Sequence, residues 1–140
     1  MLRTELLKAL SESFGAEAFE VHSVSPNECL NKPLVTFPAK HPEVGDLRVF
    51  EEQDRIEIYI GLIARVALIA DESNLTKAQE LDLAGSAVSF IQQLLNDEIE
   101  FFGFAGSGAT RARTNKRRSW WSRFSYGDKT YVWSGPISAA

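Results

Sequence analysis

The chain has 140 residues, 44% hydrophobic and 24% charged, values that exclude wholesale disorder and allow a core without disulfide or metal staples. One cysteine, Cys29, excludes an internal disulfide and a cysteine-rich zinc site, and the longest apolar run, residues 60–70 with Arg65 inside it, is too short for a membrane-spanning helix. The net charge of −4 conceals an asymmetry: Arg111, Arg113, Lys116, Arg117, Arg118 and Arg123 supply six of the 15 basic residues with no acid between them, so an acidic body carries a basic strip.

Leu2, Leu6, Leu10 and Phe14 share one helical face, and Gly15 stands where a C-capping glycine belongs, so residues 1–14 are predicted to form an amphipathic helix that covers a sheet. Charges throughout this segment argue against a secretory leader, and a cytoplasmic location is expected. A short strand is predicted in 19–24. Pro33, Pro38 and Pro42 then allow turns and one short strand at 34–37, which the prolines should confine to a sheet edge. The clearest β signal spans 47–61. Leu47 and Val49 alternate with Arg48 and Phe50, and Ile56, Ile58 and Ile60 alternate with Arg55, Glu57 and Tyr59, with Glu52, Gln53 and Asp54 as a polar turn between. This pattern predicts an antiparallel hairpin with one buried and one wet face. A third strand should follow in 62–70 through a bend at Gly61.

After a polar loop at 71–75, Thr76 and Gln79 form a capping-box pattern. Leu81, Ala84, Val88, Ile91 and Leu95 then mark a helix of about six turns, and a close approach to the sheet would explain Gly85 inside it. Residues 98–104 read as a strand that carries Ile99, Phe101 and Phe102 inward. Residues 105–119 read as a flexible basic loop, 120–126 and 129–133 as a final hairpin around Gly127 and Asp128, and 134–140 as a frayed tail. The expected architecture is one α+β domain over 1–140, with a mainly antiparallel sheet of five or six strands and two amphipathic helices packed on it.

Several constellations could carry chemistry. Gly103 to Thr110 has the glycine spacing of a phosphate-binding loop, but Ala109 stands where the lysine is needed and no helix pattern follows, so a flexible connection is the plainer reading. In the strip, Arg111, Arg113, Lys116, Arg117, Arg118 and Arg123 run beside Trp120, Trp121 and Phe124. Cations that track phosphates and rings that stack on bases suit unpaired nucleic acid. The plainer reading is that alternate aromatics of 120–126 are core residues of a strand and that the basic stretch is solvated or lies against the chain's own acidic body, with contact to an acidic protein as a third reading. Trp120 and Trp121, adjacent on a strand, would point to opposite faces. His22, His41 and Cys29 share no ligand spacing, so neither a metal site nor a cysteine nucleophile is predicted. Glu51, Glu52 and Asp54 at the hairpin turn, and Asp97, Glu98 and Glu100 at a helix end, are candidate acid–base pairs or simply solvated turns.

Two blocks carry a family resemblance. The run from Val44 to Gly61 resembles a strand–turn–strand block of small uncharacterised bacterial α+β proteins, and the run from Val88 to Phe102 resembles the helix and strand that follow it there. Those relatives have histidines after the glycine corresponding to Gly61, whereas residues 62–68 here have none, so a site built on them is absent or altered. The resemblance implies an accessory or immunity-type protein with no activity to transfer. A non-enzymatic module of the immunity or regulatory type that binds a protein partner through its acidic body and its basic-aromatic strip, without a cofactor, is therefore expected, with nucleic-acid binding through 111–124 as the alternative and a small enzyme with an unrecognised site as a further one.

Overall fold

The computed structural model describes residues 2–22, 32–52, 55–70, 75–103, 108–112 and 130–137. The molecule is α+β, with two helices and two antiparallel sheets. Helix α1 (Leu2–Phe14) buries Leu2, Leu6 and Leu10, the i, i+4, i+8 stripe of its sequence. Its backbone closes at Gly15, whose N–H donates to the Ser11 carbonyl at 3.0 Å. Strands β1 (Glu20–Val21), β2 (Val35–Phe37), β3 (Leu47–Glu51), β4 (Arg55–Ile60) and β5 (Ala64–Ile69) follow and pair in chain order as a five-stranded meander. Helix α2 (Lys77–Leu95) leads to a second sheet of β6 (Ile99–Phe102), β7 (Ala109–Ala112), β8 (Thr130–Val132) and β9 (Gly135–Pro136), ordered β7-β6-β8-β9.

The β3–β4 hairpin has the predicted register, Leu47 opposite Ile60 and Val49 opposite Ile58, with every inward residue of β4 fully buried. Branched side chains suit this position because the pleated surface holds them in few rotamers. The capping box of α2 is complete: the Gln79 N–H donates to Thr76 Oγ1 at 3.2 Å and the Thr76 N–H to Gln79 Oε1 at 2.8 Å. One cluster of buried side chains runs from Leu2 of α1 through the meander and α2 to Phe101 and Trp133.

Several expectations need correction. Helix α1 packs chiefly against α2, and reaches the sheet through Phe14, whose ring meets Phe37 edge-on at 5.5 Å. Strand β2 is interior, because Pro33 and Pro38 flank its three residues and none of its ladder N–H groups is lost, while two-residue β1 takes the edge. On α2 the buried stripe is Ala84, Ala87, Val88, Ile91 and Leu94, rotated from the predicted one, so Leu81 is 50% exposed. Gly85 faces open space, and no close approach accounts for it. Among the described residues the mainly antiparallel architecture divides into a five-stranded and a four-stranded sheet.

The stretch predicted as a flexible loop contains β7, a strand defined by pairing with β6. Strand β8 pairs with Gly135–Pro136 at the C-terminal end; the 120–126 half of the predicted hairpin lies outside the described residues, as do 138–140. The start of the predicted tail is anchored. Asp97, with φ of 60°, occupies the left-handed position that ends α2 and that usually takes glycine. Its carboxylate accepts the Ser134 N–H at 3.0 Å and the Ser134 hydroxyl, so the side chain ties the β8–β9 turn to the helix end.

Candidate functional site

The basic strip enters the described structure at one position. Arg111 stands on β7, its Nε 3.0 Å from Glu100 Oε2 and its guanidinium 5.2 Å from the centre of the Phe102 ring. Glu100 is buried, and an interior carboxylate requires such a cationic partner, so Arg111 serves the fold. Arg113, Lys116, Arg117, Arg118, Trp120, Trp121 and Arg123 lie outside the described residues, as does Phe124.

Gly103 and Gly108 are explained by close backbone approach. Gly108 donates its N–H to the Ile63 carbonyl at 3.0 Å and forms a parallel bridge with Ala64, which joins the second sheet to the free edge of the first. A Cβ on Gly108 would collide with the carbonyl oxygens of Phe102 and Ile63, and one on Gly103 with the Gly108 backbone. The phosphate-loop spacing is thus a packing device at the seam between the sheets.

The histidines are apart. His22 Nε2 pairs with Thr36 Oγ1 at 2.9 Å, while His41 Nδ1 accepts the Glu43 N–H at 3.1 Å and its ring lies against Gly135. Cys29 lies outside the described residues, among which no group of three or more histidine, cysteine or carboxylate side chains is placed to hold a metal ion. Among the described residues no helix is long and apolar enough to cross a membrane.

The two carboxylate clusters separate into different roles. Glu52 meets Arg55 at 3.3 Å, Asp97 holds the Ser134 turn and Glu100 holds Arg111, while Asp54 lies outside the described residues. Glu51 continues the inward alternation of Leu47 and Val49 at the core margin. Burial there pushes its carboxyl above the ordinary carboxylate range, with Glu52 and Glu80 adding to the effect and Arg3 opposing it. A carboxyl that holds its proton more tightly when folded contributes stability below the unfolded value, and that contribution is lost as pH rises through the folded value. Glu51→Gln is therefore expected to raise the urea midpoint at pH 7 and to lose that advantage as the solution is acidified below the carboxylate range. A loss of stability at pH 7 that shrinks on acidification would show instead that the carboxylate is a net stabiliser.

The arrangement with most chemical character is the face of the meander turned away from the helices. Glu20, Thr36, Arg48, Tyr59 and Arg65 stand directly opposite one another, strand by strand, across all five strands. The Arg48 guanidinium lies over the Tyr59 ring, 5.3 Å from its centre, and donates from Nη2 to the Gly61 carbonyl at 3.2 Å. Arg65 stands opposite Tyr59 on the other side in the β4–β5 register, and its interaction with Tyr59, with Glu57 adding to it, raises the arginine further above its usual range. Phe50 meets Tyr59 edge-on at 5.2 Å and 71°. Neighbouring row members are Glu57 and Ala67, and Arg55 bridges toward Glu57 at 3.8 Å. Arg65, Ala67 and Ile69 are exposed on β5, and Leu62 at the β4–β5 turn is 76% exposed. A wet sheet face filled by threonine, lysine and glutamate would be ordinary; one built of aromatic rings clasped by arginines resembles the composition of interface centres. The alternation in 47–60 already separated Arg48, Phe50 and Tyr59 from the core set, but a polar outer face is the default of any amphipathic hairpin and did not single them out.

Elsewhere, the surface of α2 forms open polar depressions, one lined by Leu81, Asp82, Gly85, Ser89 and Gln93. Comparison with protein-family models, with curated proteins and with solved structures finds no match.

Proposed function

We propose that this protein is a non-enzymatic protein-binding module of the immunity or regulatory type, which meets its partner with the outer face of the five-stranded sheet. The observation that carries this reading is the Tyr59 ring beneath the Arg48 guanidinium, with Phe50 at its edge, Arg65 opposite it in register, and Leu62 and Ile69 exposed on the adjoining turn and strand. Tyrosine and arginine supply large contact area with polar tips, and they dominate measured binding energies at protein interfaces. The contacts of Arg48 and Phe50 hold Tyr59 in place before binding, which limits the entropy lost on association. A lone cysteine fits the reducing interior of a bacterial cell, where such a module would act.

Capture of the tagged protein from native cells, with and without nuclease, tests the reading. One stoichiometric protein should survive nuclease and be lost from the Tyr59→Ala variant, a truncation of the kind that costs about 2 kcal/mol or more at an interface centre. Material that disappears with nuclease, or a partner retained undiminished by Tyr59→Ala, would overturn it.

A further inference from the structure

We infer that the outer face of the meander recognises an acidic segment of its protein partner, with carboxylates seated at Arg48 and Arg65 on either side of Tyr59. This deepens the proposed function and rests on it. The outward face carries Arg48, Arg55 and Arg65 against Glu57 on β3 to β5 and Glu20 on edge strand β1; Arg55 is paired with Glu52 and Glu57, so Arg48 and Arg65 are the cations that flank Tyr59. The chain as a whole is acidic, so this face opposes the sign of its own molecule and marks the side on which an anionic partner meets attraction.

The register fixes the geometry of the occupant. Arg48 and Arg65 lie one strand to either side of Tyr59, so their backbones are about 10 Å apart, two strand spacings. Two carboxylates at that separation could each take a bidentate bond from a planar guanidinium, with the Tyr59 ring as the apolar floor between them. Arg65 is exposed and stands directly opposite Tyr59 in the β4–β5 register, so it is open to a carboxylate from outside. Exposed Ala67 and Ile69 extend the floor along β5, which suits an occupant that alternates acidic with small or aliphatic side chains. The aromatic content of the same face also suits stacked bases. The Tyr59 ring, however, already has a guanidinium over it and Phe50 at its edge, which favours carboxylates over bases as what the arginines receive.

The probe is a random copolymer of glutamate, alanine and tyrosine, titrated into isotopically labelled protein while backbone amide shifts are followed. The shifts should concentrate at residues 48–50, 57–59 and 65–67, and binding should weaken with salt. Arg65→Glu, on an exposed side chain that the fold does not bury, should weaken binding by about tenfold or more, and Arg65→Gln by less. Absence of binding, shifts centred elsewhere, or indifference to Arg65→Glu would overturn the inference. Tighter binding of oligothymidylate to the same residues would overturn it in favour of single-stranded nucleic acid. A neutral or basic protein captured through Tyr59 would overturn the acidic partner alone and leave the protein-binding reading standing.

Discussion

Gly108→Ala is expected to lower the stability of the fold by about 3 kcal/mol or more. At this residue β7 leaves its pairing with β6 and touches the edge of β5, through the bridge to Ala64 and the N–H bond to the Ile63 carbonyl. An added methyl would occupy the space of two carbonyl oxygens, those of Phe102 and Ile63. Both belong to the backbone of paired segments, so neither can swing aside like a flexible side chain. The seam must open, with loss of the interstrand bond, or the strands must bend. Gly85→Ala provides the control. That position faces open space within α2, so the alanine should stabilise by about 0.5–1 kcal/mol. Urea unfolding of both variants measures the contrast. A Gly108→Ala midpoint equal to that of the parent chain would show that the two sheets do not approach as described.

Phe101→Ala should cost about 3–5 kcal/mol. The ring is fully buried, and it stacks on Tyr131 of β8 with centres 5.9 Å apart and planes 14° from parallel. With Ile99 and Trp133, Phe101 carries the second sheet into the common core that also holds Ile91 and Leu94 of α2. Truncation removes the transfer free energy of the ring and leaves a cavity that the paired strands cannot close. Phe102, one residue on, points to the other face, where it lies half-buried beneath Arg111. Its truncation should cost clearly less. Equal costs at the two positions, measured by denaturant midpoints at constant slope, would mean that the face assignment of β6 is wrong.

How far the sequence disclosed this structure depended on which force defines each element. The β3–β4 hairpin and α2 were legible because side-chain burial defines them, and burial writes a period of two or of 3.6 into the sequence. Strand β7 was not legible. Its residues Ala109, Thr110, Arg111 and Ala112 are exposed or only partly buried, so the strand exists through backbone bonds to β6 that leave no apolar alternation. The glycine run was read as freedom to move, when Gly103 and Gly108 instead permit backbones to touch. Asp97 breaks the preference for glycine at a helix end, and the reason is Ser134, 37 residues later, which no local pattern could announce. The outer-face site was half legible. Its residues were separable from the core set by parity, but their convergence on Tyr59 comes from strand pairing that also enlists Arg65 from β5.

The order of the first sheet has a kinetic meaning. Because β1 to β5 pair strictly in chain order, each new strand closes only the loop to its predecessor, as from Val49 to Ile58 or from Ile60 to Ala64. In the second sheet β6–β7 and β8–β9 close locally, but joining these two pairs must bring Phe101 to Tyr131 across thirty positions. Closure entropy grows with the logarithm of loop length, by about 0.6 kcal/mol per doubling, and folding slows as distant pairings come to dominate. The meander can therefore assemble by successive local zipping, and it offers the edge at Ile63 and Ala64 as a ready template on which the later, more distant strands are organised.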